Sequence, residues 1–371
     1  MYRPVCAMIH PSAFQHNWAQ VRQCAPDAQA WAIVKADGYG HGLEKVAGFL
    51  PEADGFGVAC MDEALRLRRE GVFHPIVILE GVFHPDEWTL VVEHQLQCVV
   101  HCQTQLDGLL QWLHAHTKLT RLPEGVALWV KFDTGMSRLG FAPEQAPRLA
   151  RQLKPICRHV HVMSHLSCAD EPHQDSVSQD QRRQFEQAAA AFEGLRSLAN
   201  SAAVQRLPQT HYDWVRPGIM LYGAGGHHQT VLQPTMTLKA AVTCLKWIPT
   251  GQAVGYGQAW VAPRPTLLAI VSIGYGDGYP RHAPSGTPVL IQGQQCPLVG
   301  RVSMDMLTVD VTALQSTVGV GDEVVLWGQG LSVDAVATEC GTIGYELLCG
   351  VTARVPRVIK DSADRVFHHG F

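Results

Sequence analysis

Charged residues and long apolar runs are scarce in this sequence, and both absences narrow its function. Charged residues make up 17% and hydrophobic residues 46% of the 371 positions, which excludes a mainly disordered chain. The formal net charge is −4 and no stretch concentrates lysine and arginine, so nucleic-acid binding is not expected. No apolar run approaches the ~18 residues of a membrane span, and no secretory signal is visible. We therefore predict a soluble cytoplasmic protein that acts on a small uncharged or zwitterionic molecule.

Paired cysteines are also missing. The eleven cysteines are an odd number, and none of them forms a Cys-x-x-Cys pair. Cys98 and Cys102 come closest, four positions apart and without a second pair nearby. This spacing argues against a disulfide framework and against a zinc site. We expect reduced thiols and no bound metal.

Short apolar runs alternate with longer amphipathic stretches from about residue 30 to 222, which is typical of strands alternating with helices. The predicted strands are 31–35, 56–59, 76–79, 97–100, 126–132, 160–164, 197–199 and 214–221. Eight strand–helix repeats in this length predict a closed α/β barrel of the (β/α)8 (TIM-like) type. A doubly wound open sheet is the alternative, but the Gly-x-Gly-x-x-Gly turn that would favour it is missing after the first strand.

The pattern changes after Gly226 to short β-like runs separated by glycine- and proline-rich turns. The predicted strands of this part are 238–245, 267–272, 288–291, 307–311 and 323–327. We predict a barrel domain over residues 10–226 and a mostly β domain over 227–371, with a linker around 225–230. Residues 1–9 are predicted to add a strand to the second domain.

Several polar residues fall at the carboxyl ends of the predicted barrel strands, where reactive groups of such barrels gather. They are Lys35, Lys131, Arg138, His165, Ser201 and Arg216. Polar groups in an apolar layer are costly unless paired, so folding alone does not explain them. Lys35 is predicted to end the first strand and to face Arg216 across the barrel mouth.

Lys35 suits covalent chemistry, because a partly desolvated lysine has a lowered pKa and can form a Schiff base with an aldehyde. A solvated surface lysine is the alternative. The residues that follow, Gly38 to Gly42, combine flexible glycines with the Tyr39 phenol at a predicted helix start, which suits a phosphate group.

Eight segments closely resemble the alanine racemase family, in family order between residues 34 and 357. They are KADGYGHG (35–42), DTGMSRLG (133–140), NS (200–201), RPGIMLYG (216–223), GYG (255–257), GYGDGY (274–279), RVSMD (301–305) and TIGYE (342–346). The resemblance implies a barrel followed by a β domain, pyridoxal 5'-phosphate (PLP) as cofactor, and a homodimer that interconverts L- and D-alanine. Ser137 departs from the family pattern, which more often has glycine or asparagine there.

The resemblance also implies two catalytic bases, Lys35, which would carry PLP, and Tyr256, which would come from the second subunit. Racemisation needs a base on one face of the substrate and an acid on the other. An ordinary tyrosine, with a pKa near ~10, is a poor base at neutral pH. His165 and Arg216 are the residues expected to bias its phenol.

The remaining site residues follow from the same resemblance. Arg216 would face the pyridine nitrogen of PLP. The other cofactor-binding residues would be Tyr39, Asn200, Ser201 and Tyr345, with the backbone N–H groups of Ser201, Gly218 and Ile219. The substrate-binding residues would be Arg138, the partner's Met304 (backbone N–H), Lys131 in a carbamylated form, and Asp305, Tyr275 and Tyr279 near the entrance. Core packing for Tyr275 and Tyr279, and a turn role for Asp305, are the alternatives.

Three other functions fit part of the pattern. One is a racemase of broader specificity for serine or larger amino acids. Another is a non-catalytic PLP-binding barrel, against which the β domain and Tyr256 argue. The third is a PLP decarboxylase, which usually has an acidic residue where Arg216 stands here.

Overall fold

The first part of the chain is a closed barrel of eight parallel strands, as the sequence predicts. The computed structural model describes residues 3–116, 119–227 and 230–360. Strand β1 (Val5–Ile9) precedes the barrel, whose strands are β2 (Gln29–Ile33), β3 (Gly55–Val58), β4 (Ile76–Ile78), β5 (Gln97–Val100), β6 (Ala127–Lys131), β7 (His159–Met163), β8 (Arg196–Asn200) and β9 (Trp214–Arg216). Each pairs with the next in chain order, and β9 closes the barrel against β2.

Helices cover the outside of the barrel. The longer ones are Pro11–Cys24, Leu43–Phe49, Met61–Arg69, Glu87–Glu93, Gln103–Ala115, Ala146–Leu153, Asp175–Ala189 and Ser201–Arg206. The predicted strand 214–221 is wrong in its second half, because Pro217 has no N–H to donate and the chain turns into a 3-10 helix, Ile219–Tyr222. None of the described helices has the length and apolar character needed to cross a membrane.

The second part is built on an antiparallel sheet. The strands of this sheet after the barrel are β10 (Met236–Ile248), β13 (Thr266–Val271), β14 (Pro288–Ile291), β15 (Gln294–Pro297), β16 (Leu307–Asp310), β17 (Glu323–Trp327) and β18 (Arg357–Ile359), whereas β11 (Ala253–Val254) and β12 (Trp260–Val261) form a separate two-stranded sheet. Strand β1 lies in this sheet, antiparallel to β10 and parallel to β18. Two helices that were not predicted from the sequence, Val333–Glu339 and Gly344–Gly350, follow β17 and pack against each other. Residues 228–229 of the predicted linker and 361–371 of the predicted second domain lie outside the described residues.

An aromatic cluster fills the barrel interior below its mouth. The Trp31 ring stacks on Trp214 with a centroid separation of 4.3 Å and meets Trp129 edge-on at 4.7 Å. A Cβ at Gly55 would lie 2.7 Å from the Trp31 ring, so glycine is needed there. Because strand side chains alternate, Lys131 points to the same side as Trp129, two residues nearer the mouth. The cluster therefore closes the barrel below and leaves the carboxyl end of the strands open for a site.

Buried neutral histidines predict acid sensitivity of the fold. Burial lowers the pKa of both His10 and His41 to about 4. In the unfolded chain these two histidines take up protons near pH 6.5, whereas in the folded chain they do so only near pH 4. Their contribution to the free energy of folding is therefore complete above pH ~6.5 and is lost as the pH falls towards ~4. We expect a loss of about 2 kcal/mol per histidine at pH 5, seen as a lower thermal midpoint at pH 5 than at pH 7.5. The exposed His114→Asn control should keep this difference and His10→Asn should reduce it, whereas a midpoint independent of pH would contradict the prediction.

Candidate active site

A cavity of about 590 Å³ opens at the carboxyl ends of the barrel strands, a size that suits a small organic ligand. It brings together ten of the residues predicted from the sequence, which are Lys35, Tyr39, Lys131, Arg138, His165, Asn200, Ser201, Arg216, Gly218 and Tyr345. Four of these carry positive charge, and Glu80 is the one carboxylate among the described residues that line the cavity. This excess of cations favours an anionic ligand.

Lys35 does not end the first strand as predicted, since β2 stops at Ile33 and Lys35 opens a short turn, Lys35–Tyr39. The backbone of this turn is left-handed, with φ of 54° at Ala36, 54° at Asp37 and 60° at Gly38. A left-handed non-glycine residue costs about 1–2 kcal/mol, so surrounding contacts must hold the turn in place.

Charged side chains outside the cavity supply those contacts, and these side chains were not predicted from the sequence. The Glu63 carboxylate accepts hydrogen bonds from the backbone N–H groups of Ala36 at 2.7 Å and Ala59 at 2.8 Å. Asp37 accepts from the Arg66 guanidinium at 2.8 Å. The turn that places Lys35 is therefore fixed from the helix Met61–Arg69. Glycine-rich spacing predicts a tight turn here but not its handedness or its anchors.

Arg216 ends β9, the strand next to β2, so it comes from the strand that neighbours that of Lys35 rather than from the opposite side of the mouth. Its guanidinium donates to Ser197 Oγ and to the Ser164 carbonyl, both at 2.5 Å, and to the Leu198 carbonyl at 3.1 Å. Burial lowers the pKa of Arg216 to about 10, which still leaves the group charged at neutral pH. Arg216 is thus a fixed cation that can donate hydrogen bonds but not accept them.

Two further bases in the cavity, Lys131 and His165, are shifted towards their neutral forms. Burial, together with the charge of Arg216, lowers the pKa of Lys131 to about 8. Burial and the same arginine lower the pKa of His165 well below its usual value. His165 Nδ1 lies 3.4 Å from the Arg216 guanidinium. A neutral His165 and a partly neutral Lys131 are therefore present at neutral pH.

The loop after β6 presents Arg138 to the cavity. Asp133 Oδ1 accepts hydrogen bonds from the backbone N–H groups of Gly135, Met136 and Ser137, each at 3.0 Å. Burial alone would raise the pKa of Asp133, but these three donors lower it below its usual value. Ser137 has φ of 56°, a left-handed conformation that glycine and asparagine adopt more readily. The loop holds a shape that leaves the Arg138 side chain exposed.

One wall of the cavity is made of hydroxyl groups and tightly packed backbone. Ser201 Oγ accepts a hydrogen bond from Gly218 N at 2.8 Å. A Cβ at Gly218 would lie 2.5 Å from the Tyr39 hydroxyl, so only glycine lets the phenol reach this position. Asn200 caps the helix Ser201–Arg206 by accepting from Ala203 N at 3.1 Å. Ile219 is buried behind this wall and does not line the cavity.

Six of the predicted site residues do not line the cavity of this chain, which are Ile219, Tyr256, Tyr275, Tyr279, Met304 and Asp305. Tyr256 is 68% exposed in a short turn, and Met304 is 52% exposed. Gly276 N donates to the Met304 carbonyl at 2.9 Å, which joins the loops that carry Tyr275 and Met304. Gly257, next to Tyr256, lies against the Arg301 guanidinium. Tyr256, Tyr275 and Met304 therefore occupy adjoining loops of the second domain.

The structure corrects the prediction for Tyr279 and refines that for Asp305. Tyr279 is 1% exposed and stacks on Trp327 at 5.9 Å, so it is a packing residue rather than part of an entrance. Asp305 accepts from the Arg354 guanidinium at 2.6 Å, and Arg354 also lies 3.6 Å from the buried Asp277 carboxylate. Asp305 thus belongs to an ion-pair network at the edge of the second domain.

Glu80, Leu139 and Cys349 also line the cavity and were not predicted from the sequence. Glu80 lies two residues beyond the end of β4, where the rule for barrel strand ends could have found it. Cys349 comes from the helix Gly344–Gly350, which was not predicted. Its presence shows that the second domain contributes to the cavity together with Tyr345.

Two family descriptions match nearly the whole chain. The alanine racemase N-terminal domain matches residues 9–225, and the alanine racemase C-terminal domain matches residues 235–359. Among curated relatives, an alanine racemase of Coxiella burnetii is 43% identical over 94% of this chain and 97% of its own length. An alanine racemase of Nitrosococcus oceani is 45% identical over 95% and 99%.

Solved structures agree with the sequence relatives. The biosynthetic alanine racemase of Pseudomonas aeruginosa is 44% identical, with a TM-score of 0.90 over 97% of this chain and 100% of that one. An alanine racemase of Bartonella henselae, described with covalently bound pyridoxal phosphate, is 29% identical with a TM-score of 0.87 over 96% and 99%. Both domains match, which disfavours a barrel-only PLP-binding protein. The chain belongs to the alanine racemase family of amino-acid isomerases.

Proposed function

We propose that this protein interconverts L-alanine and D-alanine with PLP held covalently by Lys35. The observation that carries the proposal is the position of Lys35 at the edge of a cation-rich cavity that also contains Arg216, Lys131 and Arg138. The covalently bound pyridoxal phosphate of the Bartonella henselae relative supports the choice of cofactor. When bound, PLP withdraws electrons from the substrate α-carbon and so makes the α-proton acidic.

The residues of the cavity fit this cofactor. The hydroxyl groups of Tyr39, Ser201 and Tyr345 and the backbone N–H groups near Gly218 would hold its phosphate, since neutral donors at helix starts suit a dianion. The Tyr39 hydroxyl packs closely against Gly218, so this donor lies next to the backbone N–H groups of the same wall. Arg216 would hydrogen-bond to the pyridine nitrogen and retain its own protons there, because it stays charged at neutral pH.

Substrate orientation would fall to Arg138, whose planar donors suit a carboxylate. We infer that Lys131 carries a carbamate, which would replace a cation crowded by Arg138 and Arg216 with an anion that positions Arg138. The pKa of Lys131 near about 8 supports this, because carbamylation requires the neutral amine. The partner's Met304 would add a backbone N–H to the substrate, and Asp305 and Tyr275 would lie near the entrance.

The two bases would be Lys35 and the partner's Tyr256 in a homodimer. Tyr256 is too exposed in a single chain to act in a water-excluded site, and its hydroxyl finds no hydrogen-bond partner among the described residues. Seating this loop over the cavity of a second chain would place a phenol beside His165 and Arg216. The charge of Arg216 would then favour proton loss from the phenol. Lys35 and Tyr256 would serve opposite faces of the substrate.

A cytoplasmic location is part of the proposal. All eleven cysteines of the sequence are free in the structure, including the buried Cys6, Cys98 and Cys157. Reduced thiols are typical of cytosolic proteins.

Chiral analysis of the products tests the proposed function. The full-length protein loaded with PLP should convert either enantiomer of alanine to an equal mixture of both. We expect kcat/KM for L-alanine to exceed that for L-serine by at least about tenfold, because a binding site discriminates against one added hydroxyl or methylene group by ~10–200-fold. L-lysine and L-arginine, whose side chains are much larger, should react more slowly still. Bound PLP without formation of D-alanine would refute the proposal, and equal rates with serine would refute the specificity.

A further inference from the structure

A second cavity lies at the amino-terminal end of the barrel, opposite the candidate active site. Its volume is about 860 Å³. The start of β7, the end of the helix Ala146–Leu153 and the segment leading into β8 form its walls. The cavity shares no lining residue with the candidate active site, and nothing in the proposed racemase reaction uses it.

The rim of this second cavity is strongly basic. Its charged lining residues are Arg121, Arg151, Lys154, Arg158 and Glu193. Lys154 Nζ lies 3.9 Å from the Glu193 carboxylate, which is a long ion pair. Arg158 pairs with Glu124, which does not line the cavity. The side chains of Arg121 and Arg151 have no ion pair or hydrogen bond with any described residue. Free cations gathered at one concave place on a chain of net charge −4 indicate an anionic ligand.

The floor of the cavity is apolar. Phe192 is buried, Val160 is half-buried, and Leu195 is 38% exposed, and all three line the cavity. Gly194 shapes this floor, since a Cβ there would lie 1.9 Å from the Val160 carbonyl oxygen. The chain before β8 can therefore approach β7 closely. An apolar floor below a cationic rim suits an organic molecule that carries its charge at one end.

His161 adds a directed hydrogen-bond donor to this floor. Its Nδ1 accepts from the Leu195 backbone N–H at 3.0 Å, so Nε2 carries the hydrogen of the neutral ring. Burial lowers the pKa of His161 to about 4, which keeps the ring neutral at physiological pH. The ring rests on Trp129 at 4.7 Å, and Nε2 has no partner among the described residues. A neutral donor that lines the same cavity as two unpaired arginines fits a phosphate oxygen or a polar group of the ligand's organic part.

We propose that the cavity formed by β7, the helix Ala146–Leu153 and the segment before β8 binds a small organic diphosphate, for which ADP is a suitable probe. Arg121, Arg151 and Lys154 would contact the two phosphate groups. His161 would donate a hydrogen bond from Nε2, and Val160, Phe192 and Leu195 would contact the organic part. The two unpaired arginines come from different segments of the chain, Arg121 from the loop before β6 and Arg151 from the helix Ala146–Leu153, which favours two phosphate groups over one.

Calorimetric titration of the PLP-loaded full-length protein with ADP tests this site. The loaded protein is used so that the active-site phosphate position is already filled. We expect saturable binding that weakens as salt is raised, and at least about tenfold weaker binding of AMP. The double variant Arg121→Ala/Arg151→Ala should bind ADP at least about tenfold more weakly with unchanged racemase activity, since both side chains are exposed and unpaired. Arg69→Ala, which removes an exposed arginine elsewhere on the barrel, should bind ADP as the parent does.

Three outcomes would overturn the proposal. One is no ADP binding at millimolar concentration and low salt. A second is equal ADP binding by the double variant and the parent. The third is that pyrophosphate binds as tightly as ADP, because the apolar floor would then contribute nothing. Since the racemase assay is independent of these titrations, failure here leaves the proposed function standing.

Discussion

Lys35→Ala is expected to lose racemase activity by more than about 10³-fold, because one change removes both the covalent attachment of PLP and one of the two bases. The variant should also lack the visible absorption of covalently held PLP, and borohydride reduction should leave no PLP mass on the chain. Alanine racemisation, absorption spectra and mass spectrometry of the reduced protein check these expectations.

Two matched variants separate the chemistry of Lys35 from loss of charge or of fold. Lys35→Arg keeps a cation at the cavity edge but should be as inactive as Lys35→Ala, since a guanidinium is a poor nucleophile. Lys45→Ala, an exposed lysine in the following helix, should retain parent activity. Racemase activity within about tenfold of the parent in Lys35→Ala would show that another residue carries the reaction.

Tyr256→Phe is expected to lower racemisation by about 10²–10⁴-fold, the usual contribution of a positioned acid or base. PLP binding should be unchanged, because Tyr256 is not among the residues proposed to hold the cofactor. In deuterated water the variant should still exchange the α-hydrogen of one alanine enantiomer, since Lys35 remains on one face. Rates of exchange by NMR and of racemisation by chiral chromatography provide the measurement.

The control for this variant is Tyr212→Phe, which removes a hydroxyl that donates to Glu186 on the outside of the barrel. It should racemise alanine at the parent rate. Full racemase activity in Tyr256→Phe, or loss of α-hydrogen exchange for both enantiomers, would contradict the assignment of Tyr256 as the second base.

The fold was predictable because its strongest signals are periodic. Buried parallel strands give short apolar runs, and seven of the eight predicted barrel strands match the structure within two residues at both ends. The strand predicted over 214–221 went wrong because apolar residues also form the 3-10 helix after Pro217. The helix Gly344–Gly350 was missed because its two terminal glycines weaken any helix signal.

The residues of the cavity were predictable by type but not by geometry. Family motifs indicated Lys35, Arg138 and Arg216, and the structure gathers all three in one cavity. The left-handed turn after Lys35 depends on Glu63, a residue 28 positions away that carries no local signal. The burial of Tyr279 likewise depends on its stacking with Trp327 at the end of β17. Such long-range contacts set positions that sequence spacing does not encode.

The most direct test of a site shared by two chains is a dimer that combines Lys35→Ala in one chain with Tyr256→Phe in the other. The two variants can be co-expressed with different affinity tags and purified through both. In a two-fold dimer, one site would carry both defects, and the other would combine an intact Lys35 with an intact Tyr256. We predict that the mixed dimer has about half of the parent racemase activity, although each variant alone is nearly inactive. Activity no higher than that of the separate variants would contradict the shared site.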